Sequence, residues 1–198
     1  MEKEYDLLIH GGIIVTPSGI VHGDLAIKDN SISMIGNKLG AAKEKIAANG
    51  KFVMPGGVDV HAHIEQISGM GQMNADTFES ATRSAAMGGT TSVISFAAQA
   101  VGQTLSKTVT NYAARAKRGA MIDYAFHLII TDTAVANFEG DLARLVANGH
   151  RSLKIFTTYD IQLTDQKILK VLTLARKFGA LLCVHAENDA IISNAKEK

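Results

Sequence analysis

Two histidines one residue apart, His61 and His63, follow the apolar-flanked segment Val58-Asp59-Val60. The stretch behind Pro55-Gly56-Gly57 reads as a strand in which Val58, Val60 and Ala62 alternate with Asp59, His61 and His63. Strand side chains alternate with period two, so both imidazoles are expected on one face. Side by side, two imidazoles can share a metal ion. Asp59 is expected on that face too, where a carboxylate suits a hydrogen-bond partner of a ligand. The competing reading is two histidines on a solvated strand face. An apolar-flanked strand announced by Pro-Gly-Gly is a poor solvent-facing edge, so the metal reading is preferred.

Other segments supply matching parts. Arg151 to Tyr159 reads as a strand with Lys154, Phe156 and Thr158 on one face and Leu153 and Ile155 on the other. A lysine within such a strand must be paired or chemically altered, because an isolated buried ammonium is costly. Ala180 to Asn188 is a short apolar run ending in His185. A lone histidine there reads as a core residue or a strand-end hydrogen bonder. The earlier histidine pair and the strand lysine give it a third reading, as a ligand.

Three segments in this order and spacing, Pro55-Gly-Gly-Val-Asp-Val-His-Ala-His63, Ser152-Leu-Lys-Ile-Phe-Thr-Thr-Tyr159 and Val184-His-Ala-Glu-Asn188, resemble motifs of the cyclic amidohydrolases, and of the dihydropyrimidinase and hydantoinase family in particular. The resemblance runs from about Tyr5 to the last residue. It implies that His61 and His63 bind the more buried of two divalent metal ions, with zinc the default. It implies that Lys154 is carboxylated and its carbamate bridges the metals, and that His185 binds the second metal. A lysine ammonium has no acceptor and cannot bind a cation; a carbamate can. The implied reaction is ring opening of a dihydropyrimidine or a 5-substituted hydantoin to an N-carbamoyl amino acid. The attacking hydroxide comes from a water bridging the two metals. Tyr159 matches the tyrosine that donates to the developing oxyanion; the plainer reading is an aromatic capping the strand end. His127, without a motif match, reads as a core histidine or one behind the ligands. His10, His22 and His150 read as solvated turn residues.

Positioning these residues takes a particular architecture. Residues 1–53 alternate short apolar runs with turns such as Thr16-Pro-Ser-Gly19 and Lys28-Asp-Asn-Ser31, which reads as a small β-sandwich-like domain. Residues 54–198 alternate strands and helices, which argues for a parallel sheet. Asp76-Thr-Phe-Glu79 resembles a capping box with aspartate as the cap. Helices are expected from there to Gly88-Gly89, over Leu105 to Lys117, over Ala134 to Asn148, and from Thr164 to Gly179. An open doubly wound sheet competes with a (β/α)8 barrel. Site residues that sit on three strands and must converge favour the barrel, whose sites lie at the C-terminal strand ends. Only five strands are counted, near residues 58, 92, 124, 154 and 182, so the expectation is an incomplete barrel. The resemblance places a further metal histidine on a sixth strand and an aspartate base on an eighth. On that expectation residues 1–198 alone are inactive and poorly soluble.

Composition narrows the classes. The 198 residues are 46% hydrophobic and carry a formal net charge of +1, which gives no electrostatic case for nucleic acid or an anionic membrane. No run approaches the roughly 18 apolar residues of a membrane span. The single cysteine, Cys183, excludes an intrachain disulfide and fits a reducing cytoplasm. The expected partner is a small cyclic amide, and the resemblance implies a homo-oligomer, a tetramer. Ile64-Glu65-Gln66 follows the histidines with no arginine, unlike dihydroorotases, which argues against an anionic ring. Met70 and Met73 read as pocket lining or core filler. The reading from a different class is a structural assembly relative that has lost catalysis.

Overall fold

Short apolar runs separated by turn residues become strands through the first 56 residues. This computed structural model describes residues 5–67 and 72–197. The chain divides into two units, Met1–Gly56 and Gly57–Lys198. The first unit is a mixed sheet of β1 (Tyr5–Thr16), β2 (Gly19–Lys28), β3 (Ser31–Gly36), β4 (Ala42–Ala47) and β5 (Phe52–Val53). Its order is β3-β2-β1-β4, with β5 also pairing β1. The two apolar runs Asp6 to Ile9 and Gly12 to Thr16 form one strand, broken by a register shift between Ile9 and Gly12. Asp29 and Asn30, both at positive φ, make the two-residue turn between β2 and β3.

The second unit alternates strand and helix: β6 (Gly57–Ala62), α1 (Phe78–Met87), β7 (Thr90–Ala98), α2 (Leu105–Gly119), β8 (Asp123–Ile129), α3 (Phe138–Ala147), β9 (Ser152–Phe156), α4 (Asp165–Phe178), β10 (Leu181–His185) and α5 (Asp189–Lys196). All neighbouring strands pair in parallel, in the order β10-β9-β8-β7-β6. A doubly wound sheet reverses its strand order part-way. Here the order follows the sequence without reversal, as in the wall of a (β/α) barrel. No helix among the described residues is long and apolar enough to cross a membrane.

The two faces of this sheet differ. Val93, Ala97, Phe126, Leu128, Leu153 and Ile155 belong to the apolar core shared with the helices. Registers Phe96↔His127 and Ile129↔Lys154 put Phe96, His127, Ile129 and Lys154 on the other face. The core is held by the i, i+3, i+4 spacing of residues such as Leu142, Leu145 and Val146 on α3, and Val171, Leu174 and Ala175 on α4.

Local differences from the sequence expectations have physical causes. The cap of α1 is Thr77, not Asp76: Thr77 accepts the Ser80 N–H and Ser80 Oγ accepts the Thr77 N–H. Asp76 instead accepts the Ser80 hydroxyl at 2.8 Å. Helix α3 begins at Phe138, later than expected, because Asn137 adopts the left-handed conformation. His150 is half-buried rather than solvated, with its ring parallel to Phe126, and burial pushes its pKa down.

Candidate functional site

Phe96 on β7 is the hub around which three imidazoles gather. Its ring centroid lies 4.7 Å from His61, 4.5 Å from His63 and 4.8 Å from His127. The His61 and His63 rings are 5.3 Å apart and tilted by 57°. Burial lowers the pKa of His61, with like-charge repulsion from His63, Lys154 and His127 adding to it and Asp59 opposing it. The neutral imidazole that results is the form a metal binds.

Strand β6 reaches this arrangement irregularly. Its register with β7 shifts between Gly57 and Val58 and again between Asp59 and Ala62. Asp59 pairs with Val93, a residue of the helix-side core, so the simple alternation that puts Asp59 beside the histidines does not hold. The Asp59 carboxylate accepts the His61 backbone N–H at 2.9 Å. It thus bonds the main chain of His61, not its ring. His127 holds the same segment from β8. Its Nε2 donates to the Val60 carbonyl at 2.8 Å, which leaves Nδ1 to accept from Ser152 Oγ at 2.6 Å.

Lys154 is 8% exposed. Its Nζ lies 5.2 Å from the Phe156 ring centroid, and no carboxylate pairs with it among the described residues. It shares a face with Phe156, while Leu153 and Ile155 pack under the helices. His185 is on the neighbouring strand, in register with Phe156 and stacked on it at 5.3 Å. Its Nε2 meets the Glu187 carboxylate. Tyr159, at a left-handed φ of 68°, donates its hydroxyl to the same Glu187 oxygen at 3.1 Å. That bond raises the Tyr159 pKa, and the His185 contact, then the Tyr159 bond, lower that of Glu187. Among the described residues no three His, Cys, Asp or Glu side chains close on one point as a metal cage. Lys154 acts electrostatically on His61 and stands against Phe156, the ring on which His185 stacks. His185 and Tyr159 form a second cluster around Glu187.

A cavity of about 760 Å³ opens beside these groups, lined by His63, Gln66, Asn74, Phe156, Tyr159 and Ile161 among others. That is the volume of a small-molecule site. Ile67 and Met73 form an isolated antiparallel bridge, and of the two Ile67 lines the cavity. Met70 lies outside the described residues. The segment after His63 is clamped from α2. Tyr112 donates to the Ile64 carbonyl at 2.5 Å, Arg115 to the Glu65 carbonyl at 2.7 Å, and Arg118 pairs with the Glu65 carboxylate at 3.4 Å. Two arginines therefore do sit near the motif in space, and both are engaged by Glu65.

Gln66 and Glu187 were not singled out by sequence reasoning, because each acts through a turn that brings it back onto a histidine. The donor set suits a metal ion: two adjacent imidazoles, one held neutral by burial, face a buried lysine that lacks a counter-charge. Residues 52–198 match the model of the amidohydrolase family. The chain belongs to the amidohydrolase family. Among the relatives of this amidohydrolase family member, a D-hydantoinase of Ralstonia pickettii is 40% identical over 195 residues, covering 98% of this chain and 42% of the relative. One of Rhizobium radiobacter is 39% identical with the same coverage. A solved D-hydantoinase structure superposes with a TM-score of 0.91 at 39% identity, covering 97% of this chain and 42% of that one. A dihydropyrimidinase from Brevibacillus agri gives 0.90 at 34% identity, covering 96% and 42%. The chain thus spans 42% of the length of these relatives.

Proposed function

We propose that the whole protein is a metal-dependent hydrolase of cyclic amides, opening a dihydropyrimidine or 5-substituted hydantoin to an N-carbamoyl amino acid. The observation that carries this reading is Lys154: a buried ammonium with no carboxylate partner, facing His61. Such a group is costly as a cation. As a carbamate it becomes an anionic oxygen ligand. In this reading His61, His63, carboxylated Lys154 and His185 hold two divalent ions, with zinc the default and manganese, cobalt or iron compatible with mixed nitrogen and oxygen donors. The metals, when bound, activate water and polarise the ring carbonyl.

The chain's own residues do the remaining work. Asp59 and His127 fix the peptide group that leads into His61, one through its N–H and the other through its carbonyl. Phe96 and Phe156 back the imidazoles with apolar rings. Tyr159 stands on the cavity wall with a phenolic donor that Glu187 holds until a developing oxyanion competes for it. The apolar walls supplied by Ile67, Ala98, Ile129 and Ile161 suit a ring with an apolar substituent. A cytoplasmic homotetramer completes the reading, on the family resemblance and the single cysteine.

The test is substitution of Lys154 in the whole protein. Lys154→Ala is expected to abolish ring opening and lower metal content together. Lys154→Arg is expected not to rescue, since a guanidinium has no acceptor. Small carboxylic acids are expected to restore part of the activity of the alanine variant. Full activity and full metal content in either variant eliminate the bridging role. A second reading, a non-catalytic assembly relative, is favoured by one feature: His185 meets Glu187 instead of the other histidines. Metal analysis separates the two, because that relative binds none.

A further inference from the structure

Gln66 does more than line the cavity. Its Nε2 donates to the carbonyl of Phe96, and a carbonyl oxygen can only accept. That bond settles which end of the amide is which. Oε1 is then the atom facing Nδ1 of His63, at 2.7 Å, and an amide oxygen also only accepts. Nδ1 must carry the hydrogen, so the lone pair of a neutral His63 resides on Nε2. Both partners are anchored. Asn74 donates its side-chain amide to the His63 carbonyl at 2.6 Å and accepts the Gln66 N–H at 2.7 Å. The His63 ring stacks on Phe96 at an interplanar angle of 14°. The residue whose carbonyl orients Gln66 therefore also supports the ring that Gln66 holds.

We propose that Gln66 is a positioning residue that locks His63 in the Nδ1–H tautomer, presenting Nε2 as its ligand atom. The second half rests on His63 being a metal ligand, as read above; the tautomer lock does not. A histidine ligand whose other nitrogen donates to a fixed acceptor has its ring plane and basicity set before the metal arrives. Gln66 supplies that acceptor from the residue run that directly follows the histidines, so the motif and its support are one segment of chain.

The test reads the tautomer directly. Nitrogen-15 NMR of the metal-free full chain at about pH 8, above the ordinary imidazole range, reports which ring nitrogen of His63 is protonated. The wild type is expected to show Nδ1–H. Gln66→Met, close in length but without an amide, is expected to relax toward the mixture of a solvated imidazole. Gln66→Glu keeps an acceptor and is expected to retain Nδ1–H, which preserves the comparison if the methionine variant folds poorly. Zinc titrations are expected to show binding about 10–100-fold weaker in Gln66→Met, with Gln66→Glu close to wild type. An Nε2–H tautomer in the wild type or in Gln66→Glu, or an unchanged Nδ1–H in a folded Gln66→Met, overturns the proposal. A wild type that holds Nδ1–H, loses it in Gln66→Met and binds no zinc supports the lock and refutes the metal reading instead.

Discussion

The phenol of Tyr112 sits where a buried hydroxyl must find an acceptor, and the Ile64 carbonyl supplies it at 2.5 Å. Burial pushes the Tyr112 pKa up to about 12. The folded state therefore favours the neutral phenol. Its contribution is complete below the unfolded value of about 10 and declines as pH rises from there toward 12. Tyr112→Phe is expected to cost about 1 kcal/mol at neutral pH, and the variant's stability should fall less steeply above pH 10. Urea melts at neutral and alkaline pH check both. At this scale the sequence is informative where a side chain's role is set by its strand. Lys154 and Phe156 opposite Leu153 and Ile155 follow from alternation alone, and the structure has that arrangement. Gln66 and Glu187 were not legible, because their partners lie across turns whose geometry the residues themselves do not encode. Nor was the reach of Arg115 and Arg118, which lie about fifty residues beyond Glu65 in the chain.

Elements show the same division. Gly179 closes α4 at a φ of 74°, the left-handed stop that its position in the sequence announces. Strand β4 is announced by no apolar run: Lys43, Glu44 and Lys45 are held extended by parallel pairing with β1, a partner that lies some 37 residues earlier. The α1 cap is a one-residue matter with a measurable size. Thr77→Ala removes the acceptor for the Ser80 N–H and is expected to cost about 1 kcal/mol, whereas Asp76→Ala costs less; thermal melts of the pair decide which residue is the cap. In the first unit, Asp6 ties β1 to the β2–β3 turn through the Asp29 N–H and to β4 through Lys43. The Lys43 bond, followed by the Asp29 N–H, holds the Asp6 carboxyl down at about 2. A depressed acid stabilises above its unfolded pKa, near 4, and loses that contribution as pH falls through about 2. Asp6→Asn is expected to lower stability at neutral pH, by a margin that shrinks with salt and vanishes below pH 2. Denaturation series at two ionic strengths measure the margin.

At the scale of the molecule, the parallel sheet of the described residues has β6 and β10 at its edges. Val58 and Leu181 on those edges are 58% and 65% exposed. Apolar edges recruit other strands. Residues 1–198 are expected to self-associate with rising concentration, and Val58→Lys with Leu181→Lys to suppress it, as sedimentation velocity can show. The sequence foresaw a barrel wall because five strands alternate with helices, but the irregular pairing of β6 could not be read from it. Alternation presumes one-to-one pairing with a neighbour, and β7 supplies that neighbour out of step at Val58 and Asp59.

That misstep works like an expansion joint. Gly57 pairs with Thr90 and Ala62 with Ser95, so the two strand segments between those pairs are of equal length and the two slips cancel. The displaced pairing is confined to Val58 and Asp59, and Gly57 and Ala62 keep one common register with β7. The second slip falls across Val60 and His61, so the first histidine sits where the register is recovered and the second follows it. Deuterium uptake at Val58 and Asp59 should run ahead of that at Ala62, with Ala62 unaffected by substitutions that loosen the strand's beginning.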